Sequence, residues 1–81
     1  MTEQQLLILR HSLGIGDDGN GRAYRNHFVT GEGSTDYPSC IALVEAGMMT
    51  RRRGDPLSGG DDIFLVTPKG ALAARENNDA E

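Results

Sequence analysis

Leu43-Val44-Glu45-Ala46-Gly47-Met48-Met49-Thr50-Arg51-Arg52-Arg53, followed later by Phe64-Leu65-Val66-Thr67-Pro68-Lys69-Gly70, decides how this chain folds. Gly47 ends a helix, and Met48 makes the apolar contact that often follows such a cap. Met48–Arg53 then reads as one strand of a hairpin and Asp62–Thr67 as the other. Between them, Gly54, Asp55, Pro56, Leu57, Ser58, Gly59, Gly60 and Asp61 form a long, flexible tip. Ile63, Leu65 and Thr67 alternate with Phe64 and Val66, so the second strand is apolar on both faces. Thr67 and Pro68 are an N-cap and a first-turn proline. They open a last short helix whose apolar side is Ala71, Leu72 and Ala74.

Upstream, a helix runs from about Asp36 to Ala46. Thr35 or Asp36 caps it, and Pro38 is tolerated only in its first turn. Cys40, Leu43, Val44 and Gly47 mark its inner face, with Ile41 beside them. Before it, Gly31, Glu32 and Gly33 make a turn. Residues 24–30, Tyr-Arg-Asn-His-Phe-Val-Thr, fit a short helix or an irregular strand. Their β-branched and aromatic content leans toward extended structure. Tyr24, Phe28 and Tyr37 are three of the four aromatic residues, so this region is expected to pack on the core. Residues 15–23 are a loop, because Gly16, Gly19 and Gly21 leave no room for a helix. The chain opens with a helix. Thr2 and Gln5 form a capping box. Leu6, Leu9 and Leu13 make the apolar stripe, and Gly14 stops it.

The stretch from Leu43 to Arg53, with Phe64 to Gly70, resembles the end of the recognition helix, the wing and the next helix start of MarR-type winged-helix regulators. The likeness covers about residues 36–75. It implies a winged-helix architecture but is not specific for DNA binding. Those regulators place two helices before the wing. Here Gly14 to Thr35 offers no second helix, and the wing lacks an arginine where Asp61, Asp62 and Ile63 stand. A second stretch, Tyr24-Arg25-Asn26-His27-Phe28-Val29-Thr30-Gly31-Glu32-Gly33 with Asp36-Tyr37-Pro38, resembles a group of small phage and prophage proteins with a YRNHF…DYP signature. That resemblance implies a bacterial or phage cytosolic setting and assigns no activity.

The chain has 81 residues, so one domain is expected. A domain this small is marginally stable, and a homodimer would bury more surface. The expected domain is 1–76, followed by a disordered acidic tail at 77–81. The single cysteine excludes an internal disulfide and fits a reducing cytoplasm. The N-terminal Met-Thr-Glu-Gln-Gln lacks the basic region of a signal peptide. Apolar runs such as Leu6 to Leu9 are far short of a membrane span. The net charge is −4, and setting aside Glu76, Asp79 and Glu81 leaves eight bases against nine acids. Nucleic-acid binders usually carry a clear basic excess, which this chain reaches only if its charges are segregated.

Two sets of residues are candidates for function. Arg51, Arg52 and Arg53, with Arg22 and Arg25, are candidate phosphate contacts. On a strand only Arg51 and Arg53 share a face, and the three equally fit a charged edge that discourages strand pairing. The helix from Asp36 to Ala46 exposes Ser39, Ala42 and Glu45, none of which suits base readout. Tyr24, Arg25, His27 and Phe28 are candidate partner-binding residues. The same segment, with Asn26, equally fits an anchor that ties a long loop to the core. Catalytic and metal residues and cofactors are not expected. Cys40 reads as a small core hydrophobe, Asp17, Asp18 and Asn20 miss the calcium-loop spacing, and His11 and His27 alone make no metal site.

The sequence therefore predicts an α+β, winged-helix-like domain ordered as helix, irregular loop, helix, β-hairpin wing and short helix. A third short strand from 24–30 would pair with the wing. Two functions are carried forward. One is a non-enzymatic phage-type accessory protein that binds DNA weakly and without sequence preference through the wing. The other is an adaptor that binds a host or phage protein.

Overall fold

The computed structural model describes residues 1–54 and 59–76. The centre of the expected hairpin tip, 55–58, and the expected acidic tail, 77–81, lie outside the described residues.

Helix α1 spans Glu3–Leu13. Thr2 Oγ1 accepts the Gln5 N–H at 3.0 Å, and Gln5 Oε1 accepts the Thr2 N–H at 3.1 Å, so the capping box forms as the sequence predicts. Gly14 ends the helix with φ 78°, a conformation that costs glycine little. The N–H groups of Gly14 and Ile15 turn back onto the carbonyls of His11 and Arg10, each at 3.1 Å.

Strand β1 spans Phe28–Thr30, the C-terminal half of the segment that the sequence left open between helix and strand. Helix α2 spans Tyr37–Glu45, with Pro38 in its first turn. Gly47, at φ 80°, closes α2. The Gly47 and Met48 N–H groups donate to Val44 O at 3.0 Å and Leu43 O at 2.9 Å, the paired bonds of a glycine C-cap. Strand β2 is Met49–Arg52, β3 is Asp62–Val66, and helix α3 is Pro68–Arg75. Thr67 caps α3 by accepting the Gly70 N–H at 3.1 Å, and its hydroxyl donates to Gly47 O at 2.7 Å. One side chain thus ties the end of α2 to the start of α3.

The sheet is antiparallel, in the order β1-β3-β2. Phe28 pairs with Phe64 and Thr30 with Asp62, while Met49 pairs with Val66 and Arg51 with Phe64. The third strand predicted to join the wing is therefore present, and it makes β3 the central strand. Side chains alternate along a strand. Phe64 and Val66 accordingly point under the helices and are buried with Leu9, Leu43, Met49 and Cys40. Val29, Ile63, Leu65, Thr50 and Arg52 occupy the other face.

This is an α+β domain of winged-helix-like arrangement, with no helix between Gly14 and Thr35. Two packing expectations need correction. Leu72, placed on the apolar side of α3, is 72% exposed, whereas Gly70, Ala73 and Ala74 are buried. Pro68 fixes where α3 begins, so these small residues, three and four positions apart, form its inward stripe. They allow α3 to lie close against α1 and the wing. Tyr24, expected on the core, is 71% exposed, while Phe28 and Tyr37 do pack against the core.

Arg10 is buried on α1 and closes the end of the domain. Its guanidinium donates to Ala74 O at 2.8 Å, to Glu76 O at 2.6 Å and to Asp17 O. The last turn of α3 and the glycine-rich loop are thereby held to one side chain.

Candidate functional site

The arginine run at the root of the wing does not form one patch. Arg51 Nε lies 2.7 Å from Asp62 Oδ2, and Tyr37 Oη donates to the same oxygen at 2.8 Å. The Gly54 N–H donates to Asp62 Oδ1 at 3.1 Å. The Arg51 guanidinium also lies 5.8 Å from the centre of the Tyr37 ring. Asp62 is buried, and these donors account for its position. The Gly54 N–H, the Tyr37 hydroxyl and the Arg51 guanidinium hold its carboxyl below the usual value. The same contact with Asp62 raises the Tyr37 phenol and the Arg51 guanidinium.

Arg51 and Arg53 face a cavity of about 420 Å³ that is also lined by Glu32, Tyr37, Asp61 and Asp62. Two arginines there meet three carboxylates, so the lining carries one more negative than positive charge. Arg52 points to the opposite face of the sheet, opposite Ile63. Among the nucleic-acid candidates, Arg51 is committed to Asp62 and Arg25 to the end of α1. Arg22, Arg52 and Arg53 are exposed.

The second cluster surrounds β1. Arg25 Nε and Nη2 donate to His11 O at 3.0 Å and 2.7 Å, placing a cation at the C-terminal end of α1, where the helix dipole favours it. The Arg25 guanidinium lies 5.4 Å from the centre of the Tyr24 ring. That ring rests against Gly14, where a Cβ would lie only 2.7 Å from Tyr24 Cδ1. Tyr24 is therefore exposed yet held in place. The His11 and Phe28 rings meet edge to face at 5.9 Å. His11, Arg25, His27, Phe28 and Val29 line a groove of about 250 Å³. The sequence thus nominated Arg25, His27 and Phe28, which come together with Tyr24 alongside, and did not nominate His11, Val29 or the groove.

Asn26 has a structural role. Its Oδ1 accepts the Val66 N–H at 2.7 Å, and its Nδ2 donates to Val66 O at 3.0 Å. Residue 26 stands opposite Val66 when the register of β1 and β3 is extended. The side-chain amide replaces a backbone rung there. The main chain at 24 and 27 donates instead to Leu13 O and Ser12 O, each at 3.1 Å. The loop-anchoring reading thus describes Asn26, and Arg25 combines anchoring with exposure.

Cys40 is fully buried, and burial pushes its thiol up to about 11, so it stays protonated at neutral pH. Among the described residues, no cluster of three or more His, Cys, Asp and Glu could hold a metal ion, and no helix is long and apolar enough to cross a membrane. No family model, curated protein or solved structure matches this chain.

Proposed function

We propose that this domain is a protein-interaction module, with the surface formed by Tyr24, Arg25, His27 and Phe28 as its contact face. The observation that carries this reading is the exposed Tyr24 ring, held against Gly14 with the Arg25 guanidinium 5.4 Å from its centre. Exposed aromatic and arginine side chains held in a fixed geometry give contact area at low entropic cost. In a bacterial or phage-infected cell it would serve as an accessory adaptor.

Weak nucleic-acid binding through the wing is less well supported. Arg51 is neutralised by Asp62, and Glu32 and Asp61 stand near Arg53. Helix α2 offers no lysine or arginine to a groove.

The test is site-specific photo-crosslinking in the cells that express the protein. A photoreactive phenylalanine analogue replaces Tyr24, Arg52 or Leu72 in turn. The proposal predicts a discrete protein adduct from position 24 and none from 52 or 72. Adducts to nucleic acid from position 52, with none to protein from 24, would overturn it.

A further inference from the structure

The sheet has two edges, and they are treated differently. The β2 edge carries Arg51 and Arg52, with Arg53 directly after it, and charged residues on an edge discourage strand addition. The β1 edge carries Phe28, Val29 and Thr30, none of them charged.

The pairing pattern fixes which backbone groups face outward on β1. The Val66 N–H and carbonyl are met by Asn26, so residue 66 turns its backbone toward the β1 side. Two-residue alternation then makes Phe28–Phe64 and Thr30–Asp62 the mutually bonded pairs. Val29 turns its N–H and carbonyl the other way, the side on which the His27 N–H meets Ser12 O. Among the described residues, the backbone of Val29 has no partner, and the side chain is 49% exposed. This unpaired rung borders the groove lined by His11, Arg25 and His27, which contains no acidic side chain.

Resting on the protein-interaction reading above, we infer that β1 accepts an added strand from an extended, acidic segment of a partner protein. The main chain of that segment pairs with the N–H and carbonyl of Val29. One of its carboxylates sits in the groove against Arg25, His11 and His27. Backbone pairing supplies affinity in this mode, and alternate side chains supply specificity. The free backbone of Val29 calls for a strand, and the basic groove calls for its charge.

The experiment is a titration of the full-length, isotope-labelled protein followed by amide NMR. The probe is a short synthetic peptide alternating valine and glutamate, with a control alternating valine and lysine. The inference predicts saturable shifts at His27–Thr30 and Arg25, slowed exchange of the Val29 amide, and binding of the lysine peptide about tenfold weaker or less. Val29→Pro removes only an outward-facing N–H, the position at which an edge strand tolerates proline, and should weaken binding by about tenfold. If that variant is not folded, the exchange rate of the Val29 amide in the unaltered protein decides instead. No shift at β1, shifts confined to β2, or equal binding of the two peptides would overturn strand addition. A position-24 protein crosslink in that case would leave the interaction module standing without its strand. Loss of both would end both proposals.

Discussion

The guanidinium of Arg51 and the carboxylate of Asp62 meet at 2.7 Å on the inner face of the sheet, under the ring of Tyr37. This pair turns the central feature of the arginine run from a surface charge into part of the wing's construction. It separates Arg51 from Arg52, its neighbour in sequence. Arg51→Ala should lower the melting temperature clearly, because Asp62 would lose a partner while staying buried. Arg52→Ala should leave it unchanged. Thermal melts of the two variants by circular dichroism check this, and equal melting temperatures would show that the pair is not structural.

Asp62 also sets an acid limit. Its carboxyl is held below the ordinary value of 3.8 by the Gly54 N–H, the Tyr37 hydroxyl and Arg51. Its folded-state pKa is depressed, so its contribution is complete above the unfolded-state value. That contribution is lost as pH falls through the lower folded-state value. Asp62→Asn should therefore be less stable than the parent at neutral pH and lose less on acidification. Melting curves from about pH 6 down to about pH 2 read this, and parallel acid slopes for both proteins would contradict it.

Gly70 reverses a general rule. An alanine in a helix interior is usually better than glycine by about 1 kcal/mol. At Gly70 an added methyl would overlap the Met48 carbonyl oxygen and lie 2.9 Å from Val66 Cγ1. Gly70→Ala should destabilise the domain by about 1–3 kcal/mol, read from urea unfolding. A gain in stability would mean that α3 sits farther from the wing than described.

Asn26 supplies both bonds of a sheet rung to Val66. Asn26→Ala should cost about 1–3 kcal/mol, because the N–H and carbonyl of a buried residue lose their partners. The amide of Val66 should also exchange faster with solvent. Unchanged protection there would show that water replaces the side chain without penalty.

The sequence made much of the fold legible because its punctuation is strong. Thr2 with Gln5, Gly14, Gly47, and Thr67 with Pro68 each have a local physical meaning, and each appears in the structure as a cap or stop. Strand β1 was harder to read. It is three residues long, and its pairing is continued by a side chain rather than by backbone. Leu72 faces solvent, against the sequence expectation, because the inward face of α3 is set by close approach to its neighbours, which favours Gly70, Ala73 and Ala74 over a larger apolar residue.

The candidate surface was half legible. Tyr24, Arg25, His27 and Phe28 stood out as a dense cluster, yet their groove needs His11 from α1, a contact that spans the loop. The role of Asp62 had a signal in the sequence. It shares strand parity with Phe64 and Val66, so it must point inward, where a carboxylate needs donors. Arg51 shares that face through the register, which only the pairing of β2 with β3 fixes.

On the proposed reading the domain binds protein and the wing makes no nucleic-acid contact. Fluorescence anisotropy of labelled random duplex DNA, at low and moderate salt, tests it most directly. The double variant Arg52→Ala with Arg53→Ala is the comparison, because it spares the Arg51–Asp62 pair. The account predicts no saturable binding at low salt by either protein. Salt-sensitive binding by the parent that the double variant loses would contradict it and make the hairpin a phosphate-contacting wing.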